Sequence, residues 1–245
     1  MKNKNFISHS KSIESILNGL TLCKSLMVSS LIVGEPHTGK ITLVKSLFPK
    51  TTLVDANNYD ELVTLLEENS ELIIYNFEVI KNISLLKMEN RRIIAIANYS
   101  VVPKSIEEYF AFIYTVSPLK ERLKDVKYFS NLFIEDLKKE LLIEEDISID
   151  INKIDLSQNF MSMKRYIYKE LIKKTLSSND IENILYDYLY SKLSGKNSYK
   201  ELLPIFERPL IKAGLNRYKS QLQLAEILGL NRNTLRKKIN ENHIN

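Results

Sequence analysis

The sequence predicts an α/β protein: a parallel-sheet core in the first half, then an all-helical half that runs into a helix–turn–helix. Five short apolar runs, at residues 30–33, 51–54, 72–75, 92–97 and 112–116, alternate with helix-like stretches at 40–48, 59–68, 80–89 and 104–110. That alternation implies a parallel sheet with helices on both faces, and the scarcity of polar residues within the runs fits strands buried on both sides. After Pro118 the pattern changes: a brief strand at 147–151 is the one further strand expected, and 121–142, 161–175 and 181–193 read as helices. Residues 207–239 then hold an amphipathic helix followed by two short helices joined at a glycine, the second ending in a basic cluster.

Composition bounds the function. A chain of 245 residues has room for a core domain and a small appendage. Its 44% hydrophobic and 27% charged content is that of an ordinary soluble globular protein. A net charge of +5 and a pI of 9.0 suit a nucleic-acid partner without requiring one. The single cysteine, Cys23, excludes a disulfide framework and a multi-thiolate metal site. His9, His37 and His243 are too scattered to suggest ligand spacing, so no metal site is expected. The opening MKNKNFISHS has no signal-peptide core, and the apolar stretch at 26–33 is too short to span a bilayer. A cytoplasmic location with no membrane partner is expected.

The first strand runs into LIVGEPHTGKIT, which fits G-x-x-x-x-G-K with Gly34, Gly39 and Lys40 in place. Glycines let backbone N–H groups turn inward around phosphates, the helix N-terminus adds partial positive charge, and the lysine reaches the terminal phosphates. The expected nucleotide-binding set is Gly34, Glu35, Thr38, Gly39, Lys40, Ile41 and Thr42, with ATP or ADP as the ligand, accompanied by Mg²⁺ if it binds; the alternative is a plain glycine turn before a helix. Ile41 stands where a metal-binding hydroxyl is needed, and Thr42 comes one position late. Hydrolysis also needs an acidic pair at the end of a neighbouring strand. The candidate strand in ELIIYNFEVI ends in Asn76 and Phe77 instead; Glu78 follows, but strand alternation would aim it to the face of Asn76 and not that of Phe77, where the second acid belongs, and it reads as a solvated loop carboxylate. No arginine lies between Arg92 and Arg122 to serve as a finger, and no catalytic residue is assigned.

At the far end, Leu202, Ile205, Phe206, Leu210, Ile211 and Leu215 lie near helical spacing. Ser220 can cap the next helix, which is expected to bury Leu222 and Ala225, with Leu224 and Leu228 as further candidates. Gly229 supplies the turn, and Asn231 caps the last helix. On that helix Leu235 and Ile239 should face inward, while Arg232, Asn233, Arg236 and Lys237 face a DNA groove, and Thr234 and Lys238 meet phosphates or flank the surface. The alternative is a solvated charged helix end, whose basic residues suit the helix dipole.

These pieces together resemble the NtrC-type bacterial enhancer-binding proteins, AAA+ ATPases that activate sigma-54 RNA polymerase and carry a Fis-type DNA-binding domain. FISHSKSIESILNGL resembles the segment preceding the ATPase core, GEPHTGK resembles GESGTGK, and TLVDANN resembles the second strand. RRIIAIAN resembles the sensor I strand, which places Asn98 at the sensor asparagine. SPLKERLKDV resembles PPLRERKEDI at the entry to the helical lid. ERPLIKAG and AEILGLNRNTLRKKI are close to the Fis pattern and are the most specific match. The resemblance implies an AAA+-like core at 1–117, a helical lid at 118–176, a helix and linker at 177–198, and a Fis-type domain at 199–245 that dimerises through its first helix.

The departures are equally specific. The GAFTGA loop that touches sigma-54 has no counterpart, and the stretch that should carry it is about thirty residues from Thr42 to Leu72. The arginine-rich segment has become EEYFAFIYTV; WPGNVREL has become LSQNFMSM, which keeps Asn159 but puts Met161 at the sensor II arginine, with Arg165 too far along to replace it. The chain is also expected to lack a receiver domain ahead of the core. It therefore reads as a sequence-specific, dimeric regulator of double-stranded DNA with a degenerate P-loop core, without sigma-54 contact. The alternatives are a working sigma-54-type ATPase using Thr42 and Glu78, and a Fis-like nucleoid protein.

Overall fold

The computed structural model describes residues 8–145 and 147–244. The chain divides after Thr175 into two compact units. The first contains α1 (Lys11–Leu26), β1 (Ser30–Val33), α2 (Lys40–Leu47), β2 (Thr52–Asp55), α3 (Tyr59–Glu68), β3 (Glu71–Tyr75), β4 (Arg92–Ile96), α4 (Lys104–Glu107), β5 (Phe112–Thr115), α5 (Leu123–Glu140) and α6 (Phe160–Thr175). The second is all-helical: α7 (Ser178–Lys192), α8 (Ser198–Leu202), α9 (Pro204–Tyr218), α10 (Gln221–Ile227) and α11 (Arg232–Glu241).

The five strands form one parallel sheet in the order β2-β3-β4-β1-β5. Alternation divides their side chains between two cores. Leu31, Val33, Leu72, Ile74, Ile93 and Ala95 pack with Leu62 and Leu66 of α3 on one face. Ile32, Ile73, Ile94 and Ile96 pack with Leu43 and Val44 of α2 and Ile13, Ile16 and Leu20 of α1 on the other. Both faces are thereby covered, as the apolar runs require. A third cluster, with Leu119, Val126, Leu137, Met163, Ile167 and Leu171, joins α5 to α6 and forms the helical cover of this unit.

Two expected elements are not formed. Residues 80–89 make no α-helix but a 3₁₀ turn at Ile83–Leu85, where the Asn82 side chain accepts from the Ser84 N–H at 3.2 Å. The buried residues there, Ile80, Ile83 and Leu86, recur every third position, which matches three residues per turn. The strand expected at 147–151 is absent because its apolar side chains, Ile147, Ile149 and Ile151, pack into the α5–α6 core rather than beside another strand. The helix expected at 104–110 stops at Glu107, and Phe110 turns to meet Phe77 edge-on at 5.4 Å. No helix among the described residues is long and apolar enough to cross a membrane.

In the second unit α7 opens with a capping box, Ser177 and Asp180 satisfying each other's backbone, yet none of its side chains is buried. The core of this unit is small: Ile211, Leu224, Ala225, Leu235, Ile239 and Ile244. Gly214 of α9 is buried against Leu224, and a Cβ there would fall 2.2 Å from the Leu224 Cδ1, so the glycine sets how closely α9 and α10 approach. With so few core residues each is costly to lose. Leu235→Ala should weaken the urea-unfolding transition of the C-terminal unit by about 2–5 kcal/mol.

Candidate nucleotide site and DNA interface

The loop after β1 lies at the carboxyl end of the sheet, where open α/β folds place their ligands. Gly34 has φ 142°. Any Cβ there would lie 2.4 Å from the Val116 carbonyl oxygen, so only glycine fits. His37 (φ 60°) and Gly39 (φ 92°) complete the inward curl, and no side chain caps α2, which leaves its first N–H groups open to an anion.

Lys40 is buried at the base of this loop. Its ammonium donates to the Gly34 carbonyl (2.8 Å), the Glu35 carbonyl (2.6 Å) and Asn98 Oδ1 (3.0 Å), which uses all three of its protons. Burial pushes its pKa down to about 8, against the raising pull of the Glu78 and Glu35 carboxylates. Asn98 follows β4 and holds both oxygens of Glu78, through its backbone N–H (3.0 Å) and its side-chain amide (2.6 Å). Glu78 is thus a half-exposed carboxylate tied to Asn98 rather than one free in solvent. Asn76 adopts a left-handed conformation (φ 56°), which breaks strand alternation and turns the chain so that Glu78 faces the loop.

The helical cover closes over the same loop. Asn159 Nδ2 donates to Glu35 Oε2 and the Pro36 carbonyl, each at 3.0 Å, while its Oδ1 accepts the Leu119 N–H at 2.7 Å. The Phe160 N–H reaches the His37 carbonyl at 3.2 Å, and the buried Arg122 donates to the Thr38 carbonyl at 2.8 Å. Arg122 also pairs with Asp125 (3.3 Å), which accepts from the Ser8 hydroxyl (2.9 Å) and the His9 N–H (2.7 Å). Arg122 and Asp125 were legible only as part of the SPLKERLKDV string; their contacts cross 84 and 117 residues of sequence.

The cradle fits a phosphate chain: Gly34, Gly39, Lys40 and an open helix start are all in place. The residues for metal-assisted hydrolysis do not fit. Ile41 and Thr42 are both exposed. Asn76 donates to Asp55 at 2.9 Å, and Phe77 is wholly buried against Phe110. Met161, at the expected sensor II position, is exposed. Among the described residues no group of three or more His, Cys, Asp or Glu side chains could hold a metal ion.

The second site is the α10–α11 pair. The Ser220 hydroxyl accepts from the Gln223 N–H at 3.4 Å, Gly229 turns at φ 63°, and Asn231 Oδ1 accepts from the Asn233 N–H at 2.9 Å. Leu235 and Ile239 are buried, and Arg232, Asn233, Thr234, Arg236 and Lys237 are all exposed on the rest of α11. Lys237 lies 3.8 Å from Glu241 across one helical turn. Two expectations are corrected. Lys238 is half-buried and paired with Glu207 of α9, which also lies 3.5 Å from the Asn242 side-chain amide, so its charge is engaged within the unit rather than on the outer surface. Leu222 is exposed; Leu224 and Ala225 take the buried positions of α10.

Residues 202–241 match a family model described as "Bacterial regulatory protein, Fis family". The second unit carries a Fis-type helix–turn–helix. The chain is also 33% identical over 132 residues to the DNA-binding transcriptional regulator NtrC of Azospirillum brasilense, a match spanning 51% of this chain and 27% of that protein. Its fold is similar to NtrX from Brucella abortus solved with ATP (TM-score 0.54, 13% identity, 98% of this chain and 69% of that one) and with ADP (TM-score 0.53, 13% identity, 99% and 70%). At that identity the likeness concerns fold alone: an AAA+-like α/β core ahead of the Fis-type helices. The bracket over the loop after β1 can be tested directly. Asn159→Asp removes both donations to Glu35 and Pro36 and sets a carboxylate beside Glu35, so thermal and urea unfolding of the first unit should show a loss of about 2 kcal/mol.

Proposed function

We propose that this protein is a sequence-specific transcription regulator that acts on double-stranded DNA through α11, with its P-loop core binding nucleotide as a platform and not as a motor. The observation that carries this is the two-sidedness of α11: Leu235 and Ile239 lie in the core while Arg232, Asn233, Thr234, Arg236 and Lys237 are exposed. Arginine pairs bidentately with guanine and asparagine with adenine in the major groove. Similarity to NtrC of Azospirillum brasilense, a DNA-binding transcriptional regulator, supports the same reading. So do the exposed apolar side chains of α7 and α9, Ile181, Ile184, Tyr190, Phe206 and Leu210, which a second copy would cover to present two recognition helices to two half-sites. The module at 199–245 is the DNA-binding part, the regions at 1–117 and 118–176 are core and lid, 177–198 supplies the preceding helix and linker, and the protein acts in the cytoplasm without contacting sigma-54.

For the platform, support comes from the intact cradle at Gly34, Gly39 and Lys40, and from the ATP and ADP present in the Brucella abortus NtrX structures. Ile41, Asn76 and Phe77 stand where hydrolysis would need a hydroxyl and two acids, so turnover is not part of the proposal.

On a mapped operator, Arg232→Ala and Arg236→Ala should each cost about 1–3 kcal/mol of affinity and relax base preference at one position. Lys237→Ala should weaken all sequences alike and reduce the log–log salt slope by roughly 1. Unchanged affinity of the double arginine variant in fluorescence anisotropy at physiological salt would remove α11 as the reading helix. For the core, the Lys40 ammonium is charged below about pH 8 and neutral above it, so nucleotide affinity should fall as pH rises through that value. Calorimetric titrations at pH 7 and pH 9 measure this. Robust ATP turnover that disappears in Lys40→Ala would overturn the platform reading.

A further inference from the structure

Resting on the nucleotide reading above, we propose that the P-loop of this protein selects a nucleoside diphosphate over the triphosphate and binds it without a metal ion, with Glu78 as the residue that sets the preference. Lys40 has three donors, and the structure uses each of them on Gly34, Glu35 and Asn98. Gaining one phosphate costs the ammonium one exchange, a loop carbonyl for a phosphate oxygen. A further phosphate oxygen can replace the second loop carbonyl, but the third contact, to Asn98, keeps the ammonium beside Glu78, because Asn98 holds that carboxylate through its backbone N–H and its side-chain amide.

The charge balance points the same way. Around Lys40 stand two carboxylates, Glu78 and Glu35, and both act electrostatically on its ammonium. In working P-loop enzymes a Mg²⁺ ion bridges the β- and γ-oxygens and offsets their charge. Here the position after the lysine is Ile41, the Asn76 amide is spent on Asp55 at 2.9 Å, and Phe77 is buried in the core. A third phosphate therefore brings further negative charge toward Glu78 with no cation to balance it. A diphosphate draws on the α2 N-terminus and Lys40 alone. Arg122, the nearby buried guanidinium, has its charge offset by the paired Asp125 carboxylate.

The test is isothermal titration of the full chain with ADP and with ATP, each in Mg²⁺ and in EDTA, paired with thermal-shift measurements, on the native protein and on Glu78→Gln. ADP should bind at least about tenfold more tightly than ATP, a difference of roughly 1.4 kcal/mol, and EDTA should leave ADP binding unchanged. Glu78→Gln keeps an acceptor for Asn98 but removes the charge, so it should bring ATP to within about threefold of ADP. ATP binding as tightly as ADP to the native protein, loss of ADP binding in EDTA, or an unaltered preference in Glu78→Gln would each overturn this inference while leaving nucleotide binding standing. Absence of any heat or thermal shift with either nucleotide would instead remove the nucleotide reading itself. The native-protein titrations decide the question even if Glu78→Gln does not fold.

Discussion

A buried ammonium organises the first unit. Taking a lysine out of water is expensive unless every proton finds an acceptor, and the three that Lys40 finds come from separate parts of the chain. Two are carbonyls of its own loop and the third is Asn98 at the end of β4. Because β4 lies between β1 and β3 in the sheet, Asn98 can carry the connection on to Glu78 beyond β3. Glu35 carries it the other way, to Asn159 at the start of α6. One cation thus ties the carboxyl edge of the sheet to its helical cover. The same contacts occupy all three donors of this lysine, so a ligand can gain one only in exchange for a contact of the fold.

The second unit solves the opposite problem. Among the described residues its buried core is six side chains, so most of the charges on α11 reach no other helix. Lys238 is the exception: it turns back to Glu207 and pins α11 to α9. Gly214 contributes from the other side by letting α10 press against α9. Arg232, Asn233, Thr234, Arg236 and Lys237 remain exposed, held on a helix whose orientation Leu235 and Ile239 determine. A reading surface needs that rigidity, since base contacts specify sequence only if the helix beneath them is fixed.

The two units therefore differ in where their polar chemistry goes. In the first, polar groups at the carboxyl edge of the sheet and in its helical cover are directed at one another: Asn98 at Glu78, Asn76 at Asp55, Arg122 at Asp125. In the second they face outward.

Local pattern alone was enough for the five strands, for the helices after them and for the turn at Gly229, because continuous apolar runs, helical spacing and a glycine requirement are properties of neighbouring residues. The glycine requirement at Gly34 and Gly39 in the loop after β1 was legible for the same reason, as were the caps at Ser220 and Asn231. The helix α1 had a local signal too, in the spacing of Ile13, Ile16, Leu20 and Cys23, all of them buried. Where periodicity was ambiguous it misled: residues 80–89 carry apolar side chains every third position, and only packing selects a 3₁₀ turn over an α-helix there. What tertiary structure decided was the destination of each polar group. Glu78 reaches Asn98 because one left-handed residue, Asn76, redirects the chain; Lys238 turns inward because Glu207, 31 residues earlier, lies across from it; Asn159 reaches Glu35 over 124 residues. Hydrogen bonds and ion pairs act over a few ångströms in space, and no spacing along a chain records which distant residues will come within that reach.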